Sequence, residues 1–162
     1  MESFKQNLLL QPTARGQGVF SKVSIPANMR IFEFSGDVLT TEQLSTRHPS
    51  DVADFLQIGL DLWKTKSGTF DDYIQHSCNP NCWVWIVGYR AILTTIHAIK
   101  PGMELTYDWS VSSTETKDQW SMNCTCGAYD CRHLISGFQY LPTDRQQTYK
   151  AMGIVPSYQT VA

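Results

Sequence analysis

Three thiols crowd into the segment Cys124-Thr-Cys126-Gly-Ala-Tyr-Asp-Cys131, in the spacing C-x-C-x4-C. Thiolates set this close are natural donors to a zinc ion, whose tetrahedral shell takes four ligands, so the cluster is one short. Cys78, Cys82, His76 and His133 are the candidates for the fourth position. Four cysteines would close the site and make it structural, pinning a poorly packed tail to the body of the domain, because ligation energy there is folding energy. Free thiols in a loop are the plainer reading, and crowding of this kind in a reducing compartment argues against it.

A second concentration of chemistry is Gln75-His-Ser-Cys-Asn-Pro-Asn-Cys82, a polar stretch between Tyr73-Ile74 and the apolar run Trp83-Val-Trp-Ile86. Buried polar side chains need partners, so this stretch reads as a chain crossing or a ligand contact, against the simpler alternative of a tight Asn-Pro turn. Taken singly, His76 is a core histidine. The third is Arg15-Gly-Gln-Gly-Val-Phe20, where Gly16 and Gly18 let a ligand approach the backbone. A dinucleotide fingerprint would need a third glycine and a following helix, and neither is present. Charged loop residues such as Arg15, Lys22 and Arg30 read as a solvated face.

The chain has 162 residues, enough for one domain, and 42% hydrophobic against 17% charged residues supports a packed core. Thirteen basic and fifteen acidic side chains give a net charge of -2, evenly split along the chain, which disfavours direct nucleic-acid binding through phosphates. No apolar run reaches the length of a membrane span and the N-terminus lacks the layout of a signal peptide. The expectation is a soluble intracellular protein, nuclear or cytoplasmic, without a basic localisation run.

These groups must be held by short elements, because Gly and Pro recur too often for long ones. Strands are expected at Arg30 to Ser35, Trp83 to Val87, Tyr89 to Ile96 and Glu104 to Trp109, the last with Leu105, Tyr107 and Trp109 on one face and Glu104, Thr106 and Asp108 on the other. Pro101-Gly102 suits a type II turn. Ser50-Asp51 is placed to cap a helical turn running to Leu56, and Thr143 to Gln146 has capping-box spacing, with Gly153 as a stop. The fold class is therefore mostly β with short helices.

In this order, Gly16-x-Gly18, Glu33-Phe-Ser-Gly36, Gln75-His-Ser-Cys-Asn-Pro-Asn81, Glu104-Leu-Thr-Tyr-Asp-Trp109 and Cys124-x-Cys126-x4-Cys131 resemble a SET-domain protein (histone) lysine methyltransferase with a post-SET zinc tail, as a small stand-alone member. The resemblance implies a SET-domain fold, small curved β-sheets around a pseudoknot. It divides the chain into a lead-in at 1–13, the SET domain at 14–110, the zinc-binding post-SET segment at 111–140 and a helical extension at 141–162. It implies S-adenosylmethionine held by Gly16, Gln17 and Gly18 at its methionine end and by Gln75 and His76 at its adenosine end, with Tyr107 beside it and Leu134 or Ile135 on the adenine. It implies one Zn2+ on Cys78, Cys124, Cys126 and Cys131, with Cys82 left over.

The implied substrate is a lysine presented by a protein or peptide, a histone tail being compatible with the acidic lean at Asp71-Asp72. The implied catalytic groups are Tyr107, orienting the amine, Trp109, walling the channel, and Tyr73 as a substitute hydroxyl. The sequence departs from the family where Trp109 replaces the usual Tyr, Phe34 another Tyr and Gln75 the usual Asn. These changes motivate the alternative of a catalytically degenerate domain that binds cofactor or peptide.

Overall fold

The computed structural model describes residues 2–48 and 55–160, and its architecture is a set of small β-sheets rather than one large one. The first pair joins β1 (Leu8–Thr13) to β2 (Gly16–Ser21) as an antiparallel hairpin. A three-stranded antiparallel sheet orders β3 (Arg30–Glu33), β9 (Arg90–Thr95) and β8 (Cys82–Val87). Another orders β4 (Val38–Thr40), β6 (Leu62–Lys64) and β5 (Leu56–Gly59). Two short pairs complete the set, β7 (Gln75–His76) with β10 (Thr106–Tyr107) and β11 (Ser121–Asn123) with β12 (Leu134–Ser136). Among the described residues the α-helices are α1 (Thr41–Ser45) and α2 (Thr143–Ala151).

The β-branched run of β8 and β9 forms the backbone of the core, and the two-residue turn between them uses Gly88 at φ +57°, as the twist of a tight hairpin demands. Val19, Ile31, Phe32, Leu93 and Leu105 lie fully buried where that sheet meets the β1–β2 hairpin. A smaller cluster of Phe138, Leu141, Tyr149 and Ile154 seats α2 against Trp83, and a third surrounds Cys78, Cys124 and Ile135.

Lys100 to Met103 forms the expected turn, with the Met103 N–H bonded to the Lys100 carbonyl at 3.2 Å and Gly102 at φ +81°, the values of a type II turn. The strand expected over Glu104 to Trp109 is cut to two residues. Asn81 accepts the Thr106 N–H and donates to the Glu104 carbonyl, while the Asp108 carboxylate accepts the Ser110 N–H and starts a 3-10 turn at Trp109. The expected polar face is buried as well, since Thr106 and Asp108 meet protein rather than water.

Helix α2 begins at Thr143 itself, because Pro142 fixes the preceding φ and occupies the N-cap. The capping box is therefore absent, and the Gln146 amide donates to the Leu141 carbonyl at 2.9 Å instead. Its end is as read: Gly153 takes φ +68°, with Gly153 N–H bonded to Lys150 and Ile154 N–H to Tyr149, a Schellman pattern. The expected turn from Ser50-Asp51 lies outside the described residues, and Leu56, its end point, opens β5.

Candidate functional site

The polar stretch after Tyr73 is a chain crossing. β7 and β10 pair in parallel, setting Gln75 opposite Thr106 and His76 opposite Tyr107, and the Ser77 N–H extends the ladder to the Tyr107 carbonyl. Asn81 then straps the outgoing chain to residues 104–106. Over this crossing opens a cleft of about 550 Å3, whose wall includes Tyr73, Gln75, Tyr107 and Trp109. Phe34 meets Tyr107 edge-on at 6.2 Å between ring centroids, and Trp109 lies 6.4 Å from Tyr107.

The G-x-G segment is bonded to one residue of this wall. The Gln75 amide donates to the Gln17 carbonyl at 2.7 Å, joining two motifs 58 residues apart. Arg15, read from sequence as a solvated charge, donates to the His76 carbonyl at 2.7 Å and to Glu104 at 2.9 Å, and lines the cleft. Gly16 adopts φ +106° at an exposed turn, a conformation that favours glycine, and Gly16, Gln17 and Gly18 are not among the residues that line the cleft. Gly18 is tight: a Cβ there would overlap Glu104 Oε1 and stand 3.1 Å from the Phe20 ring. Gly18→Ala is therefore expected to lose roughly 1–3 kcal/mol, a fall in melting temperature of roughly 3–10 °C by circular dichroism, because overpacking forces the Arg15–Glu104 pair apart. An unchanged melting curve would show that the carboxylate moves aside at no cost.

His76 is buried behind the cleft wall rather than in it. Its Nδ1 accepts the Trp109 N–H at 3.2 Å, which leaves the ring proton on Nε2, 3.3 Å from Cys78 Sγ. Burial pushes its pKa down to about 4; Asp108 opposes that shift, and Arg132 and Arg15 reinforce it. The ring is therefore neutral, and its 3.5 Å approach to Asp108 is not an ion pair. The Trp109 indole N–H is also committed, to the Ile74 carbonyl at 3.2 Å.

Next to this wall lie the thiols. Ligand atoms of His76, Cys78, Cys124 and Cys126 fall within 4.8 Å of one another. Cys131 is not in that group: its thiol donates to the Cys124 carbonyl at 3.7 Å and receives the His133 N–H at 3.4 Å, so the structure places His76 beside the sulfurs where the sequence reading places Cys131. Cys78 Sγ and Cys124 Sγ stand 3.7 Å apart. That is too long for a disulfide, and it matches the about 3.8 Å edge of a tetrahedron whose sulfurs lie about 2.3 Å from a zinc ion.

Backbone N–H groups of Arg132 and Cys78 point at Cys78 Sγ and Cys126 Sγ, the environment that favours thiolates. At Cys126 burial raises the pKa, but the N–H groups of Cys78 and Ala128 and the neighbouring thiols outweigh it and bring it to about 7. Burial pushes Cys124 up to about 11 and raises Cys78 further. The donor set fits a closed structural metal. Of the other candidates, Cys82 lies in the main core and His133 contributes backbone groups at φ +59°.

Leu134 does not join the cleft wall: it sits on β12, 37% exposed, while its neighbour Ile135 packs on the cysteines. Three groups that matter to the site gave no sequence signal. Asp108 is a buried hub, Gln57 on β5 locks to Thr114 through two side-chain bonds, and the Tyr158 hydroxyl faces the Gln57 and Ser112 carbonyls. Among the described residues no helix is long and apolar enough to cross a membrane.

Comparison with known proteins agrees with this geometry. Residues 16–110 match the SET domain. The chain is 31% identical over 134 residues to the histone-lysine N-methyltransferase ash1 of Drosophila melanogaster, covering 76% of this chain and 6% of that protein. It is 32% identical over 137 residues to an H3 lysine-36 specific histone-lysine N-methyltransferase of Cryptococcus neoformans, covering 76% of this chain and 16% of that one. The chain thus spans a small fraction of these relatives. The crystal structure of KRYPTONITE in complex with mCHH DNA, H3(1-15) peptide and SAH superposes with a TM-score of 0.65 at 27% identity, over 80% of this chain and 29% of that chain.

Proposed function

The chain belongs to the SET-domain family, and from that premise we propose that it moves a methyl group from S-adenosylmethionine to the side-chain amine of a lysine in a protein, with a histone tail as the substrate class. The observation that carries this reading is the aromatic-walled cleft set directly over the β7–β10 crossing. The histone-lysine methyltransferases among the relatives, and a structural neighbour crystallised with SAH and an H3 peptide, support the choice of cofactor and substrate.

Gly16, Gln17, Gly18, Gln75 and His76 would hold the cofactor, and the Gln75–Gln17 bond that joins their two segments supports that assignment. When bound, S-adenosylmethionine supplies a methyl group already electrophilic on its sulfonium sulfur. What the protein must supply is a neutral, aligned amine. A free lysine has a pKa near ~10.4, and walls such as Phe34, Tyr107 and Trp109 disfavour the ammonium by removing its water. Tyr107 orients the lone pair, with Tyr73 at the exposed end of the wall. Glu115 adds a carboxyl to the cleft for a basic peptide; burial raises its pKa and the Ser113 hydroxyl lowers it. Cys78, Cys124, Cys126 and Cys131 would hold one zinc ion, which would fix the tail, and His76 would donate its Nε2 proton to the Cys78 sulfur.

Trp109 is built into this wall, since its indole N–H and its backbone N–H both have partners. A tyrosine there would leave the Ile74 carbonyl unpaired and empty part of the wall. Trp109→Tyr is accordingly expected to lower the rate of labelled methyl transfer from S-adenosylmethionine to histones by about tenfold or more, the worth of one buried hydrogen bond and its packing. A gain of activity would identify the wild type as a degenerate binding domain. No label in histones or lysate, with cofactor and zinc bound, would overturn the proposed reaction itself.

A further inference from the structure

The last described turn of the chain carries two side chains that no step of the proposed reaction uses. Tyr158 and Gln159 lie in the 3-10 turn Ser157–Thr160, beyond the Schellman end of α2. The Tyr158 ring is buried, and its hydroxyl stands 2.8 Å from the Ser112 carbonyl and 3.0 Å from the Gln57 carbonyl. The Gln159 amide donates to the Val111 carbonyl at 3.1 Å and to the Ser113 carbonyl at 2.9 Å.

Two side chains thus reach four backbone carbonyls, the one hydroxyl proton of Tyr158 being shared between Ser112 and Gln57 and the two amide protons of Gln159 serving Val111 and Ser113, and those carbonyls belong to two different walls. Gln57 lies on β5, and residues 111–113 directly follow Trp109; Gln57, Ser112 and Ser113 all face the cleft. The same walls are joined by the Gln57 side chain, which donates to Thr114 Oγ1 at 2.7 Å and accepts the Thr114 N–H at 2.8 Å. Burial alone would seat an aromatic side chain here. It would not by itself supply a hydroxyl and an amide to carbonyls of two buried wall segments, which water does not reach and which therefore need partners from the protein.

We propose that Tyr158 and Gln159 are positioning residues that set the gap between β5 and residues 111–113, and with it the fit of the lysine-bearing peptide. The proposal rests on the reading that this cleft receives such a peptide. The distance along the chain, 101 residues from Gln57 to Tyr158, makes the fit of one end of the cleft depend on a segment that follows the zinc-binding tail.

Tyr158→Phe removes the hydroxyl and keeps the ring; Gln159→Met removes the amide donor at similar volume. With a synthetic histone H3 N-terminal peptide, either variant is expected to raise KM about tenfold while kcat and cofactor Kd stay within about twofold, the signature of lost substrate positioning. Amide exchange at Ser112 to Glu115 should quicken about tenfold, with β8 and β9 unaffected. Unchanged KM and unchanged exchange would overturn the proposal. So would general loosening that weakens cofactor binding and β8–β9 protection together, which would reduce both residues to fold stability. Should the wild type transfer no methyl group to the peptide, the reading of function fails separately, and exchange at Ser112 to Glu115 decides the positioning role: faster supports it, unchanged overturns it.

Discussion

Chelating the metal, or replacing Cys124 by Ser, is expected to lower the melting temperature by about 10–20 °C and to abolish cofactor binding. Structural zinc contributes about 10–16 kcal/mol of apparent binding energy in small metal-dependent folds, and even about 5 kcal/mol of that lost here would shift a chain of this size by the stated amount. Apolar burial does little to hold the cysteines. Their cluster contains only Cys78, Cys124 and Ile135 as buried members, with Trp109 and Trp120 partly buried against it. Trp109 connects the thiol cluster to the cleft, because its backbone N–H is bonded to the same imidazole whose Nε2 faces Cys78 Sγ. Loosening the cluster should therefore shift tryptophan fluorescence to the red and release the cleft wall, while the core built on β8 and β9 melts later.

The control is Cys82→Ala. Cys82 is fully buried in the main core, outside the thiol cluster, so that variant should lose stability without losing metal. One zinc per chain in the wild type and in Cys82→Ala, and substoichiometric zinc in Cys124→Ser, is the expected analysis. A wild-type melting temperature that neither chelation nor added zinc changes would refute the structural-metal assignment.

Much of this site was legible because its chemistry is local. The spacing of Cys124, Cys126 and Cys131, the polar run from Gln75 and the pair of glycines at 16 and 18 each announce themselves within a few residues. The β8–β9 hairpin was legible for the same reason, since β-branched and aromatic residues flank one tight turn. β1 was not, because Pro12 interrupts a strand whose pairing partner is the glycine segment; an edge position tolerates that proline. Arg15 was misjudged because charge in a loop is usually solvated, and nothing within the loop reveals Glu104, 89 residues away. The strand at Glu104 was over-extended because alternation predicts a half-exposed ribbon, whereas Asn81 and Arg132 cover the polar side as well. Where a group's partners are remote, sequence names the residue type and the fold decides its work.

Asp108 is the sharpest instance, and its removal is the second large expected effect. Its Oδ1 accepts from Arg132 Nη2 at 2.8 Å and from the Ser110 N–H at 3.1 Å, and its Oδ2 accepts the Tyr149 hydroxyl at 3.0 Å. One buried carboxylate therefore ties the Tyr107–Trp109 segment to the residue after the last tail cysteine and to α2. Asp108→Ala should cost about 3–5 kcal/mol, most of it the penalty of a guanidinium left buried without its counter-charge. Arg132 has little to fall back on: its side chain is 12% exposed and its Nη1 lacks a hydrogen-bond partner among the described residues.

The assignment of that cost can be tested by a cycle. Removing both charges, as Asp108→Ala with Arg132→Met, eliminates the orphaned guanidinium and should recover about half of the loss in chemical denaturation, whereas Tyr149→Phe alone should cost only about 1 kcal/mol. If the double variant is no more stable than Asp108→Ala, the carboxylate acts through the Ser110 turn and not through the ion pair. In that case Trp109, whose indole and backbone begin that same 3-10 turn, would be the residue whose position Asp108 guards, and Asp108→Asn, which keeps an oxygen for the Ser110 N–H, would retain most of the stability that Asp108→Ala loses.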